Sequence, residues 1–449
     1  MHKNILQFLV LIVFISCSTK QENTNSYDIL NERDRANLRD EVLADRFNNL
    51  LPQLMDQNDI DMWIVISREY NEDPVIKTML PSVWLNARRR TILVFYRDKE
   101  KNSIEKLAVA RYDVGTNIKS AWNKEEEPNQ WKALNKIIED RNPKKIGINV
   151  SKYFALADGL VKTDHDEFYE SLNETNKKKL VSAEKLAIGW IETRTAKEMK
   201  LFKDLVKITH NIIDEAFSSL VIKPGVTTTD DVVWWMRQKV TDLGLETWFH
   251  PTIDIQRSNE PLKSHIYSFS KAKSNKVIMP QDLLHCDFGI SYLGLNTDCQ
   301  QHAYVLGKDE SKVPLFLENA FVKGNRLQDI LASNMQTGKT GNEVLLSSLT
   351  QAKKEGLKPS IYTHPLGLFG HSAGTTIGMW DSQGGVPVRG DYPIHNNTAY
   401  AIELNVTVAI EEWKKDIRIM LEEAGYFGNG KHSFVNGRQE KIKPIKINY

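Results

Sequence analysis

The stretch LLHCDFGISYLGLNTDCQQHAYVL, residues 283–306, contains two aspartates, Asp287 and Asp298, whose type and spacing suit a metal site. Its pattern predicts two strands joined by a turn at Gly294. A hairpin centred between residues 292 and 293 would place the two aspartates opposite each other on one face, because strand side chains alternate. Two carboxylates at that distance repel unless one is protonated or a cation lies between them. The pair alone is equally compatible with an ordinary hairpin.

Further candidate ligands lie downstream, in a glycine-rich loop and in two otherwise apolar strands. The loop THPLGLFGHSAG contains His364 and His371, the strand AYAIELNVTV contains Glu403, and the segment DIRIMLEE ends in Glu422 and Glu423. A carboxylate among apolar strand residues is costly to bury unless it is paired or coordinates a cation. Four carboxylates and one imidazole are a specific ligand set for two divalent cations. The alternative, four unrelated surface or salt-bridged acids, does not explain why each falls where a strand should be apolar.

The order Asp, ten residues, Asp, and then His, Glu and Glu resembles the pita-bread metallopeptidases. The segment IKPGVTTTDDV and the two-part layout resemble their aminopeptidase P, prolidase and creatinase branch, and the resemblance covers residues 30–449. His371-Ser-Ala-Gly374 matches the family's His-x-x-Gly, and Glu422 is preferred to Glu423 because Leu-Glu-Glu aligns with the family's Ile-Glu-Asp. The resemblance implies two divalent metal ions, most often manganese, although cobalt or zinc can serve. The implied ligands are Asp287, Asp298, His371, Glu403 and Glu422.

This resemblance implies a dinuclear aminopeptidase that releases an N-terminal residue preceding proline. The two metals would hold a bridging hydroxide and polarise the scissile carbonyl of a peptide or small amide. Glu403 would carry the proton of the attacking water to the leaving amine. His265 and His364 would donate hydrogen bonds to the carbonyl oxygen as negative charge develops there.

Several positions beside the implied ligands depart from the family. Gln300-Gln301 stands where the family has Thr-Arg, Glu403-Leu404-Asn405 where it has Glu-Pro-Gly, and Met420 where it has arginine. A family histidine expected seven residues after the metal histidine falls on Gly378. Because the neighbours of metal ligands orient them and tune the metal, these changes leave the rate and the substrate open.

Two other functions follow from these departures. The first is a hydrolase or lyase of the same fold that acts on a small non-peptide molecule, since a fold does not fix a function. The second is a binding domain without catalytic activity, against which the complete ligand set argues. Metal content distinguishes the binding domain from the enzymes, and turnover of Xaa-Pro peptides against small amides distinguishes the two enzymes.

The sequence patterns of the helices and strands that must position these residues predict an α/β fold class in two domains. Strand patterns such as IDMWIVIS alternate with helical patterns such as QWKALNKIIEDRN, which predicts a creatinase-like N-terminal α/β domain over residues 31–192. Two amphipathic helices then begin a C-terminal pita-bread domain over residues 193–449. Trp234 and Trp235 cannot both face inward from the second helix. One of them is therefore a candidate for contact with the other domain or with a second copy of the chain in a homodimer.

The N-terminus predicts export. Residues 1–17 combine a basic start, an apolar run too short to span a bilayer, and Ser16-Cys17, so they resemble a signal peptide whose Cys17 becomes the lipidated first residue of a bacterial lipoprotein. Residues 18–30 would form a polar tether, and the membrane would be contacted only through the lipid. The predicted location is the periplasm, as an anchored or outer-membrane lipoprotein or otherwise in soluble form. With 59 basic and 58 acidic residues, the charge balance gives no reason to expect a nucleic-acid partner.

Three interpretations of Cys286 and Cys299 remain open. The predicted hairpin places these cysteines opposite each other on the face away from Asp287 and Asp298. They could be thiolate ligands, small buried apolar residues, or a cross-strand disulfide of an exported protein. Alternation points them away from the aspartates, which argues against the first interpretation.

Overall fold

A computed structural model describes residues 27–264 and 275–446 of the chain. The fold is of the mixed α/β class, as predicted. Among the described residues, no helix combines the length and apolar character that crossing a membrane requires.

The N-terminal region is built on one mixed sheet with the strand order β4–β3–β2–β1–β5–β6. These strands are β1 Met62–Arg68, β2 Arg90–Asp98, β3 Ser103–Val109, β4 Lys119–Ser120, β5 Ile146–Ile148 and β6 Leu180–Ser182. The associated helices are α1 Glu32–Asp45, α2 Leu51–Gln57, α3 Pro74–Lys77, α4 Gln130–Arg141, α5 Lys162–Ser171, α6 Glu174–Lys177 and α7 Glu184–Glu192. One turn of π-helix, Arg46–Leu50, joins α1 to α2, and a 3-10 turn spans Ala155–Ala157.

The central strand β1 is buried on both faces, because helices cover the sheet on either side. Trp63 and Val65 contribute to one hydrophobic core, and Met62, Ile64 and Ile66 contribute to the other. This distribution follows the alternation of side chains along a strand, and it explains why β1 is a nearly continuous run of apolar residues.

The C-terminal region contains smaller sheets with the orders β19–β11–β8–β7, β12–β15–β16 and β13–β14–β17–β18, and a ribbon of β9 and β10. Its strands are β7 Thr252–Gln256, β8 Leu283–Phe288, β9 Ser291–Tyr292, β10 Leu295–Asn296, β11 Cys299–Val305, β12 Lys358–Ile361, β13 His364–Leu366, β14 Thr398–Ala401, β15 Leu404–Ile410, β16 Lys415–Leu421, β17 Ala424–Gly428, β18 Lys431–Phe434 and β19 Lys443–Ile445. The helices are α8 Ala196–Ala216, α9 Thr229–Asp242, α10 Leu315–Asn334 and α11 Gly341–Lys354.

Helices α8 and α9 begin close to where the sequence pattern places them. Thr195 with Glu198, and Thr228 with Asp231, form capping boxes that satisfy free backbone N–H groups of the first turn. On α9 the two tryptophans differ, because Trp235 packs against the core while Trp234 is 55% exposed.

The hairpin of β8 and β11 does not have the predicted register. Gln300 lies opposite Asp287, and Leu295 lies opposite Tyr292. The turn is formed by Leu293 and Gly294, which both have positive φ, as a two-residue type I′ turn requires. The centre therefore lies one residue later than predicted, so Asp298 is not directly opposite Asp287. A shift of two in the pairing preserves the face that each side chain occupies.

Candidate metal centre

Four carboxylates reach one site from the ends or breaks of strands. Asp287 lies in β8, and Asp298 lies immediately before β11. Glu403 separates β14 from β15, and Glu422 separates β16 from β17. Each glutamate thus occupies the point at which the chain leaves one sheet and enters another, where a side chain can turn inward without interrupting a ladder of hydrogen bonds.

Backbone pairing brings these segments together. The N–H of Gln300 donates to the carbonyl of Glu422 at 2.9 Å, and the N–H of Glu422 donates back to Gln300 at 3.2 Å. Leu404 pairs with Leu421 across β15 and β16, so the preceding Glu403 and the following Glu422 are neighbours. The positions of the acids are therefore fixed by sheet hydrogen bonds.

The carboxylates and one histidine are close enough to share cations. Candidate ligand atoms of Asp287, Asp298 and Glu422 all lie within 4.8 Å of one another, and those of His364, Glu403 and Glu422 do so as well. The Nε2 atom of His364 is 3.5 Å from a Glu422 oxygen and 3.7 Å from an Asp298 oxygen. Glu422 belongs to both groups and lies between them.

Burial and mutual repulsion disfavour the ionised carboxylates. Burial, followed by the charge of Glu422, raises the pKa values of Asp287, Asp298 and Glu403 well above the ordinary range. Burial raises the pKa of Glu422 to about 8. Burial lowers the pKa of His364, which keeps its imidazole neutral and able to bind a metal.

Several atoms of this cluster are buried without a hydrogen-bond partner among the described residues. They are one oxygen each of Asp287, Asp298 and Glu422, and Nε2 of His364. A buried polar atom without a partner is costly, and divalent cations shared by these groups would satisfy the four atoms and offset the repulsion between the acids. The donor set therefore fits divalent metal ions.

The two histidines of the loop occupy different places. His364 begins β13, is 14% exposed, and shares a group with Glu403 and Glu422. His371 is exposed, and within the described ranges it groups with Asp298 and His364. Its ring makes an edge contact with Trp248 at 5.1 Å. The structure thus brings both histidines to the site but places His364 at its centre.

The sequence contains a signal for this arrangement of the two histidines. His364-Pro365-Leu366-Gly367 also matches His-x-x-Gly, and His371 then lies seven residues later, at the spacing expected for a further histidine. If His364 is the metal ligand, the histidine expected seven residues later is present as His371. If His371 is the metal ligand, that expected histidine is replaced by Gly378.

Gln300 is a further residue of the site, at a position where the sequence indicates only a difference from the family. Its side-chain amide donates to Glu403 and, at 2.9 Å, to Glu422, while its oxygen lies 2.9 Å from Nε2 of His285. Gln300 follows Asp298 by two positions along β11, and this same-face spacing could have indicated its role.

Glu423 and both cysteines lie outside the cluster. Glu423 contacts His210 and Gln301 on the opposite face of β11. Cys286 and Cys299 are buried free thiols, and Gln301 rather than Cys299 lies opposite Cys286. The predicted direct apposition of the cysteines is wrong, because the turn shifts the pairing by two residues. Their interpretation as small buried residues agrees with the structure.

Two predicted site residues, His265 and Cys17, lie outside the described residues.

The model of metallopeptidase family M24 matches residues 200–424, just over half of the chain and all of the cluster. The protein therefore belongs to metallopeptidase family M24. A comparison with curated proteins found no match.

Solved structures with similar folds include an X-Pro aminopeptidase from Thermotoga maritima, with a TM-score of 0.61 and 14% identity over 88% of this chain and 100% of that one. An Xaa-Pro dipeptidase from Bacillus anthracis has a TM-score of 0.54 and 15% identity over 92% and 100% of the two chains. The N-terminal domain of the FACT complex subunit SPT16 from chickpea has a TM-score of 0.51 and 13% identity over 93% and 99%. At these identities the likeness establishes the pita-bread fold alone.

Proposed function

We propose that this protein is a metal-dependent aminopeptidase that releases an N-terminal residue preceding proline. The observation that carries the proposal is the cluster of four buried carboxylates and His364, with unpartnered ligand atoms, in a member of a metallopeptidase family. A set of salt-bridged structural acids would have basic partners, and no Lys or Arg among the described residues forms an ion pair with these four.

We assign the metal ligands as Asp287, Asp298, His364, Glu403 and Glu422. This assignment replaces His371 by His364, because His364 is the imidazole that reaches both glutamates. Two divalent ions fit the charge of four carboxylates. Manganese is our first choice because the set is rich in oxygen, with cobalt or zinc as alternatives because it includes an imidazole.

When bound, the ions would polarise the scissile carbonyl and lower the pKa of a water, so that it can lose a proton near neutral pH and attack as hydroxide. Glu403 is positioned to accept the proton of that water and deliver it to the leaving amine, since Gln300 holds its carboxylate by a hydrogen bond. His371, at the exposed side beside Trp248, is available to donate a hydrogen bond to the substrate carbonyl.

The second candidate function is that of a hydrolase or lyase that acts on a small non-peptide molecule. Met420 and Gln300 favour it, because they remove the arginine and threonine expected beside the ligands and change how a substrate would be held. A binding domain without catalysis is the third, and the likeness to a FACT-subunit domain shows that the fold is not restricted to proteins named as peptidases.

The decisive experiment measures turnover of Xaa-Pro peptides and of small amides by protein loaded with manganese, cobalt or zinc. We expect two metals per chain and cleavage before proline. Turnover of small amides alone would support the second candidate, and a protein that binds no metal and cleaves neither class would contradict both enzymes.

We also propose that the protein is exported and anchored through a lipid on Cys17. The support is the short apolar run that ends at Ser16-Cys17. The parent should partition with membranes, and Cys17→Ser should be released in soluble form. Recovery of the parent from the soluble periplasmic fraction without detergent would contradict lipidation.

A further inference from the structure

A second site is suggested by Glu192, the last residue of α7. Its side chain is buried, with 4% of the residue exposed, yet its carboxylate forms no hydrogen bond or ion pair with any residue in the described ranges. An ionised carboxylate without a partner is among the most costly groups to bury. Burial raises the pKa of Glu192 to about 8 against the opposing charge of Arg194, so a cationic ligand beside the carboxyl group would favour its charged form.

Glu192 lines a cleft of about 710 Å³ between helices α2 and α7 and the segment from Val388 to Asn397. A cleft of this size is within the range of small-molecule sites, about 300 to 1,000 Å³. None of the carboxylates or histidines of the metal centre lines it. The cleft is thus separate from the proposed catalytic site.

The charge of the cleft favours a positive ligand. The acids that line it are Glu184, Glu192 and Asp391, whereas Lys185 is exposed and is its one lysine or arginine among the described residues. Glu184 accepts a hydrogen bond from Ser151, and Asp391 accepts one from Asn342. Glu192 alone among these acids has no hydrogen-bond donor in the described chain.

Aromatic rings line the same cleft. Phe154 and Tyr392 meet edge to face at 5.7 Å, and Tyr392 meets His395 at 5.6 Å. Burial raises the pKa of Tyr392, and the charge of Glu192 contributes to the shift, which places the phenol within the electrostatic reach of the carboxylate. Aromatic faces attract ammonium groups, and a nearby carboxylate adds a charge-assisted hydrogen bond.

We propose that this cleft binds a small organic ammonium ion, whose charged group pairs with Glu192 and whose apolar part lies against Phe154 and Tyr392. The proposal is independent of the peptidase activity, because no residue of the metal centre takes part.

Calorimetric titration of the metal-loaded full chain with butylammonium chloride, and with butan-1-ol as its neutral counterpart, tests the proposal. Metal is loaded before the titration because the acids of the metal centre could otherwise attract the amine. We expect butylammonium to bind at least about tenfold more tightly than butan-1-ol, the effect of one charge-assisted hydrogen bond.

Glu192→Gln should weaken butylammonium binding by about tenfold or more and reduce the preference for the charged probe. Glu184→Gln is the matched control, because it removes an acid from the same cleft that already has a partner. Tyr392→Leu, which retains the carboxylate, should weaken binding by a smaller factor. Thermal unfolding of each variant verifies that it is folded. Unchanged binding by a folded Glu192→Gln, or equal affinity for the two probes, would overturn the proposal.

Discussion

Buried acids lie at both faces of strand β11. The protein supplies hydrogen-bond donors to the acid at one face and leaves oxygens without donors at the other. On one face, Asp298 and Glu422 have oxygens without hydrogen-bond donors. On the other face, the adjacent Glu423 is just as buried but accepts hydrogen bonds from His210 at 2.7 Å, Gln301 at 3.2 Å and the N–H of Gln439 at 3.0 Å. The number of buried acids is therefore a poor guide to a metal site, and the number without donors is a better one.

The presence or absence of hydrogen-bond donors distinguishes two groups of candidate metal ligands. His210, Cys299 and Glu423 are also close enough to hold an ion. Their carboxylate is satisfied by the protein, which favours a structural role for that group and supports the proposed metal site on the Asp298 face.

The largest effect should come from Asp298→Ala, which removes a carboxylate from the centre of the unsatisfied face. We expect metal content to fall from two ions to at most one per chain, and turnover to fall by more than the about 100-fold typical of residues that only support ligands. Elemental analysis and peptide turnover measure both. Glu423→Gln is the matched control on the opposite face and should retain both metals. Two metals per chain in Asp298→Ala would show that the ligand assignment is wrong.

Glu403→Gln should lower turnover by at least about 10²-fold, because an amide cannot accept the proton of the attacking water. The variant should remain folded, since only one oxygen is replaced. Steady-state kinetics at saturating metal, with metal content measured in parallel, separates loss of the proton carrier from loss of the ions. Turnover close to that of the parent would exclude Glu403 as the carrier.

The two histidines allow a finer test of the same face. His364→Ala should lose metal, because it removes the imidazole beside Glu403 and Glu422. His371→Ala should keep metal but lower kcat/KM by about tenfold or more, the loss of a hydrogen bond to developing charge. The opposite outcome, with metal lost only in His371→Ala, would restore the assignment derived from the sequence.

The smallest effect should come from the satisfied face. Burial lowers the pKa of His210, but the charge of Glu423 and its hydrogen bond outweigh burial and raise it overall. A raised folded-state pKa contributes stability that is complete below the unfolded value, near 6.5, and is lost as the pH rises through the folded value. His210→Asn should therefore be less stable than the parent by about 1 to 2 kcal/mol in mild acid, with a smaller difference in alkaline buffer. Urea unfolding across pH measures this, and a difference that grows with pH would contradict the ion pair.

The convergence of the four acids was predictable from the sequence, because a carboxylate in an apolar strand is conspicuous whatever the register. Asp287, Asp298, Glu403 and Glu422 were all selected, and all converge. The α/β class and the starts of α8 and α9 were also predictable, from hydrophobic periodicity and threonine caps.

The register of the β8–β11 hairpin and the roles of the two loop histidines were harder to predict. Leu293 is not a typical turn residue, so its positive φ, which sets the centre of the hairpin, has no local sequence signal. The role of His364 depended on choosing between two matches to one short motif. The spacing from Asp298 places Gln300 on the metal-site face, but its hydrogen bonds to Glu403 and Glu422 join residues more than 100 positions apart, and a local pattern does not specify those partners.

The alternation along β11 and across the break at Glu422 also constrains how the length of this chain can change in evolution. Asp298 and Cys299, like Glu422 and Glu423, are neighbours in sequence that serve opposite faces. A single-residue insertion or deletion within either stretch would exchange the two faces. The acid of the metal site would then face the hydrogen-bond donors, and the acid of the other face would lose its donors. Drift in length should therefore be confined to the surrounding loops, while these two short stretches keep a fixed number of residues even where their side chains diverge.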